Sequence, residues 1–265
     1  MARALLGAIW RYRGFVLGSV KREFQSRYRN SLFGAAWTVL NPLAMIVVYT
    51  VIFSQVMSSR LQGNSGTCAY SIYLCAGVLT WGLFAEIVTR SQTMFIDNAN
   101  LIKKLQFPRI CLPVIVVLNA LVNFAIIFGL FTAFLLLSGT FPGPVYLALF
   151  PVLLLQVLLA IGLGMVLGVL NVFFRDVAQF FGIVLQFWFW FTPVVYPAAA
   201  LPAPVREALR YNPLAAVIGA YQHILVDARA PQWGELLPAA LLALALCALG
   251  LRLFRKRSGE MVDEL

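Results

Sequence analysis

Charge is scarce in this chain. Asp and Glu together number 10, and charged residues of either sign make up 11% of the 265 positions, where a soluble domain carries about 25%. Histidine is nearly absent: His223 stands alone, so no imidazole cluster is available for a metal or for general acid–base work. Cys68, Cys75, Cys111 and Cys247 form no CxxC pair and read as small apolar side chains in or near helices. The GxxxxGK[ST] phosphate loop is missing, which excludes nucleotide hydrolysis by that route in this chain. Carboxylates are almost missing from the apolar stretches. Glu86 is the main exception, with Arg90 one turn later as a structural i, i+4 partner. Ion-coupled transporters place ionisable groups at mid-membrane, so this scarcity points away from ion coupling and toward an external source of energy. An intramembrane enzyme would need His, Asp or Ser converging near one interface, and the sequence offers no such group.

What the chain has in abundance is apolar length. Hydrophobic residues make up 62%, more than a water-soluble core of this size can hide, so lipid must be one of its solvents. Six apolar stretches read as helical spans: 32–57, 70–94, 110–137, 145–173, 177–196 and 236–254. Each is long enough, at 1.5 Å per residue, to reach across a hydrocarbon layer of about 30 Å. The first 31 residues are too polar for a cleavable leader, so the first apolar run is expected to stay as a span. The expected fold class is an all-α integral membrane protein of six transmembrane helices. It forms one membrane domain over 1–265: a cytoplasmic arm at 1–31, the six-span region at 32–254 and a tail at 255–265. All of the 20 Lys and Arg residues except Arg60, Arg206, Arg210 and Arg229 fall in the arm, the second and fourth connections or the tail. Positive loops stay inside, which puts both termini in the cytoplasm. The net charge of +10 is therefore read as a membrane-facing asymmetry and not as a nucleic-acid surface.

Within this frame several local patterns stand out. The arm interleaves Trp10, Phe15, Val16, Leu17, Val20 and Phe24 with basic residues, as an amphipathic helix in the cytoplasmic interface would. Span one repeats Gly34, Thr38, Asn41, Met45, Tyr49 and Phe53 at helical spacing, and span five repeats Gln179, Gly182, Gln186, Trp190 and Pro193, with Tyr196 or Pro197 beyond. Amides and hydroxyls in hydrocarbon need partners, so such faces turn to other helices or to a wet pathway. The run QFWFWFTPVVYP, 186–197, adds dense aromatics. Two readings stay open for it: a surface on which sugar rings stack, or an interfacial belt facing lipid. Gly164 and Gly168 form a GxxxG pair suited to close helix packing. The proline-punctuated segment 197–235 is too short and broken for two spans and suggests a pair of half-membrane or interfacial helices on the outer side. Residues 97–109 carry Asp97 or Asn98 as a helix cap and Pro108 as a stop, which reads as a short cytosolic helix suited to docking.

Five segments in order resemble one known family. They are RYRNSLFGAAWTVLNPL (27–43), NANLIKKLQFPR (98–109), NVFFRD (171–176), FTPVVYP (191–197) and YNPL (211–214). Together they resemble the transmembrane subunits of type-2 ABC exporters of polysaccharide, in particular the O-antigen and teichoic-acid permeases. The likeness to capsule permeases is weaker. The resemblance implies a homodimer in the bacterial inner membrane, paired with two separate nucleotide-binding subunits that hold ATP and Mg; no cofactor is expected in this chain. It implies a gate helix at about 11–30, whose Arg22, Arg27 and Arg29 would meet the diphosphate of a lipid-linked glycan. It implies that Asn98, Asn100, Lys103, Lys104 and Arg109 form the coupling segment on the ATPase subunit, with Arg175 and Asp176 nearby. Asn41, Tyr49, Phe53, Gln186, Trp188, Trp190 and Tyr196 would line the conduit at the dimer axis. The alternatives within the same fold are a capsular or teichoic-acid polymer, a lipid or a drug as cargo.

Overall fold

The computed structural model describes residues 10–27, 69–104 and 108–264, with isolated positions at 7, 36–37, 40, 43–45 and 47–48. The described residues are helical, with no strand among them. Ten α-helices are described: α1 Arg13–Arg27, α2 Ala69–Asp97, α3 Ala99–Lys104, α4 Cys111–Leu137, α5 Leu149–Phe173, α6 Asp176–Trp190, α7 Ala203–Leu209, α8 Pro213–Val226, α9 Trp233–Arg257 and α10 Glu260–Glu264. A 3-10 turn, Gly143–Ala148, leads into α5.

Four of these helical stretches are long and apolar enough to cross a membrane: α2, α4, α5 with its leading 3-10 turn, and α9. They occupy the second, third, fourth and sixth expected spans. The first expected span lies outside the described residues, apart from the isolated positions. The fifth differs from expectation. It is helical for only 15 residues, about 22 Å at 1.5 Å per residue, and Phe191–Tyr196 leave the helix in a series of turns. The cause is Thr192-Pro193: proline has no N–H to give and disfavours helical backbone in the residue before it.

Helix α5 is the centre of the bundle, packed between α2 and α9. Glycine makes both contacts close. A Cβ built on Gly164 would sit 2.4 Å from the Ser91 Cβ, and one on Gly168 would sit 2.4 Å from the Ser91 carbonyl oxygen. On the other side a Cβ on Gly162 would lie 2.8 Å from the Cys247 amide nitrogen, and one on Gly250 would lie 2.9 Å from the Met165 Cβ. Apolar side chains gain little by leaving lipid for protein, so close backbone approach is what holds such helices together. The GxxxG pair expected from the sequence is the seam between α5 and α2. Helix α4 packs on the other face of α2, and α6 lies along α2 and α5 with its outer face uncovered.

Two apolar clusters divide the molecule along its length. The larger includes α8, whose Leu214, Val217, Ile218, Tyr221, Ile224 and Leu225 are buried against α2, α5 and α9. The smaller gathers Met94 and Phe95 of α2, Ile102 of α3, Ile110 and Leu112 at the start of α4, Val169 and Val172 of α5, Phe254 of α9 and Met261 of α10. Lys103, Arg109, Arg175 and Arg257 flank this second cluster. The basic connections of the sequence thus collect at one end of the bundle.

Candidate functional site: a basic corner and an aromatic turn

At the basic end, α2 runs into α3 through Asn98 alone. The Asn98 side-chain amide donates to the Met94 carbonyl at 2.8 Å, and its own carbonyl accepts from Ile102 N at 3.0 Å. Its side chain thus closes the end of α2, a different task from the N-cap expected of it. Ile102 anchors α3 in the cluster below, while Asn100 and Lys103 are exposed. The side chain of Lys104 lies outside the described residues.

The second basic corner, between α5 and α6, exposes Arg175 and Asp176, with Asp176 in the first turn of α6. Aspartate there complements the positive end of the helix dipole. Asn171 does the holding: its amide donates to the Gln92 carbonyl at 2.9 Å, and its carbonyl oxygen accepts from Ala178 N at 3.1 Å. One buried side chain therefore ties α2, α5 and the start of α6 together. In the motif NVFFRD the resemblance marks Arg175 and Asp176, whereas the side chain that holds this corner together is Asn171.

The C-terminal tail joins the two corners. Arg109 donates to the Ser258 carbonyl, and the Arg257 guanidinium lies 5.7 Å from the centre of the Phe173 ring. Arg257 also pairs with Glu260, and Met261 is buried. Arg109, expected to face a partner, is engaged inside the chain. The sequence marks 255–265 only as a cytoplasmic tail; the burial of Met261 shows that it packs on the end of the bundle.

At the opposite end, the turns at 191–197 leave backbone carbonyls without helical partners. Side chains from two other helices take them up. Tyr73 donates to the carbonyls of Pro193 and Tyr196 at 3.1 and 2.9 Å, and Tyr70 donates to Val195 at 2.7 Å. Gln222 of α8 donates to Pro193 at 3.1 Å. Asn212 caps α8 by accepting from Leu214 N, with Pro213 at the first helical position. The same side chain accepts from Trp188 Nε1 at 3.0 Å and donates to the Phe191 carbonyl at 3.1 Å and to Thr192 Oγ1 at 3.0 Å. Gly77 allows α2 to approach, since a Cβ there would stand 2.6 Å from the Val194 oxygen. Buried carbonyls without donors cost about 1–3 kcal/mol each, so this set of donors is what makes a non-helical segment tolerable here.

The expected conduit residues separate in this geometry. Gln186 and Trp190 lie on the uncovered face of α6 with Gln179, Phe180, Ile183 and Phe187; Trp190 is 61% exposed and Phe180 64%. Trp188 turns inward: its ring meets Phe84 edge-on at 5.6 Å, and its N–H is taken by Asn212. Pro193 is also buried. Tyr196 is half-buried, and its hydroxyl donates to the Trp190 carbonyl at 2.5 Å. Asn41, Tyr49 and Phe53 lie outside the described residues.

On α1, Arg22 is exposed and bonds Ser19 Oγ at 3.1 Å. Arg29 and the side chain of Arg27 lie outside the described residues. Helix α1 packs on the start of α4 through Val16, against Cys111 and Ile115. Its Glu23 pairs with Arg90 of α2 and accepts from Asn119 of α4. No group of three or more His, Cys, Asp or Glu residues suited to a metal occurs among the described residues.

Residues 16–226 match the ABC-2 type transporter family. The chain belongs to that family. This ABC-2 permease chain is 29% identical over 264 residues to the O-antigen export system permease protein RfbA of Myxococcus xanthus, covering 98% of this chain and 99% of that one. A protein of the same name from Klebsiella pneumoniae is 30% identical over 207 residues, 78% of each chain. The polysialic acid transport protein KpsM of Escherichia coli is 21% identical over 242 residues, 91% of this chain and 92% of the relative.

Proposed function

We propose that this ABC-2 permease exports a lipid-linked polysaccharide of O-antigen type across a bacterial inner membrane. It works as a homodimer, driven by ATP hydrolysis in two separate subunits. The observation that carries this reading is the cytosolic end. Two corners, α2–α3 and α5–α6, are linked through the tail by Arg109–Ser258 and Arg257–Phe173. Each presents exposed polar side chains, Asn100 and Lys103 on one and Arg175 and Asp176 on the other. A push at this platform reaches α2, α4, α5 and α9 together. The chain carries no phosphate loop of its own, which is consistent with force supplied by another chain.

The substrate class rests on relatives whose names describe O-antigen export and on the aromatic face of α6. Sugar rings offer apolar C–H faces to aromatic side chains and hydroxyls to amides. Gln179, Gln186, Phe187 and Trp190 supply both kinds of contact on one exposed helix face. The glycan's diphosphate would start near Arg22 on α1, where guanidinium gives charge-assisted bonds. The likeness to KpsM makes a capsular polymer the second cargo to assay.

The experiment is the double substitution Lys103→Glu with Lys104→Glu. Reversing the charge of α3 should release or mis-seat the ATPase subunit. The permease should stay folded in the membrane while polysaccharide at the cell surface is lost. Normal surface polysaccharide in this variant would remove α3 from the coupling role.

A further inference from the structure

Three helices meet in a polar network that the transport reading leaves unused. Arg90 of α2 pairs with Glu86 one turn earlier at 3.4 Å and with Glu23 of α1. The second oxygen of each carboxylate is also held: Asn119 donates to Glu23, and Asn123 donates to Glu86 at 3.0 Å. Charged groups within membrane helices are retained where they pair and where the pairing serves a purpose. Here one guanidinium bridges a carboxylate of its own helix and one from α1. Among the described residues, Glu23 thus ties α1 to the bundle by an ion pair, alongside the apolar patch around Val16.

The position of Arg90 gives the tie its direction. Arg90 lies seven residues before Asp97, the last residue of α2, or about 10 Å along the helix. Helix α2 runs unbroken to Asp97, and neither Gly nor Pro, two common causes of a kink, occurs after Gly82. Asn98 then staples α2 to α3. Helix α3, Asn98 and Arg90 thus lie on one hydrogen-bonded stretch of backbone, so a displacement of α3 has a short, unbroken route to the guanidinium that holds Glu23.

We infer that the Glu23–Arg90 ion pair is the link through which motion of the α2–α3 corner is passed to α1. Glu23 and Arg90 are positioning residues, since neither needs to touch the cargo. The inference rests on the proposed role of α3 as the surface that the ATPase subunit moves. The two fail differently: loss of the α3 role appears as altered assembly or force delivery at Lys103, while loss of this link appears as ATP use without transport.

The test uses the assembled permease–ATPase complex in lipid vesicles, with lipid-linked O-polysaccharide extracted from the producing strain as the probe. Glu23→Gln keeps the shape of the side chain and an acceptor for Asn119 but removes the charge. Expected is an ATPase subunit that stays bound, hydrolysis at the unmodified rate, and about tenfold less glycan exported per ATP. Arg90→Gln should give the same loss, and the two together should give no more than either alone, because both act through one contact. Arg90→Lys, which keeps the charge, should retain most of the coupling. Unchanged glycan per ATP in Glu23→Gln would overturn the inference. So would additive losses in the double variant, or a loss explained by departure of the ATPase subunit.

Discussion

Tyr73 shows how much one hydroxyl can decide. It donates to two carbonyls, Pro193 and Tyr196, from 120 and 123 residues away in sequence. Tyr73→Phe keeps the ring and its packing and deletes only the donor. The variant should lose about 1–3 kcal/mol of stability, read as an earlier loss of monodisperse protein on heating in detergent. Tyr12→Phe, just before α1 and outside this set of donors, should leave the profile unchanged. Nothing in the sequence singles out Tyr73 for this task. A tyrosine near the outer end of a span reads as an interfacial anchor, and its acceptors exist only once Pro193 has broken α6. Asn212 was half legible. Asn-Pro before an apolar run announces a helix cap, but the bond from Trp188 depends on how α6 and α8 meet. For the same reason Trp188 could not be told from Trp190 in the run 186–191: both are aromatic, and only the neighbours decide which one faces inward.

At the scale of elements, apolar length made α2, α4, α5 and α9 legible, because hydrocarbon thickness sets a minimum for each. Helix α6 was not, because hydrophobicity continues through Phe191–Tyr196 while the helix does not; composition sees lipid, whereas proline sees the backbone. The GxxxG seam was legible because small residues at that spacing have few other uses between spans. It carries a prediction with a built-in comparison. Gly168→Leu puts a side chain where a Cβ alone is 2.4 Å from the Ser91 oxygen, while Gly129 on α4 has nothing within 4 Å of a built Cβ. Gly168→Leu should therefore force α5 from α2 and destabilise by about 1–3 kcal/mol or more. Gly129→Leu should be tolerated. Heating curves of the two purified variants decide it; equal stability would mean that the α2–α5 seam does not hold the bundle.

At the scale of the molecule, the structure separates two ends and the charge count predicts which way they face. The end built on Met94, Ile102, Ile110, Val172 and Phe254 carries Lys103, Arg109, Arg175 and the Arg255–Arg257 run. Arg206, Arg210 and Arg229 flank α7 and α8 on the far side of the sequence pattern. Basic loops resist translocation, so the first end is predicted to face the cytoplasm. The proposed coupling role of α3 and the proposed exit role of the aromatic turn both require this orientation. It is also open to direct measurement. In a variant with all four cysteines replaced by Ala, a single cysteine is placed at Tyr211, which is 91% exposed, or at Lys256, also exposed. A membrane-impermeant maleimide added to spheroplasts should label Tyr211→Cys at once and Lys256→Cys only after lysis. The reverse order would turn the molecule over and overturn the proposed ATPase-facing role of the basic end, which Lys256 marks.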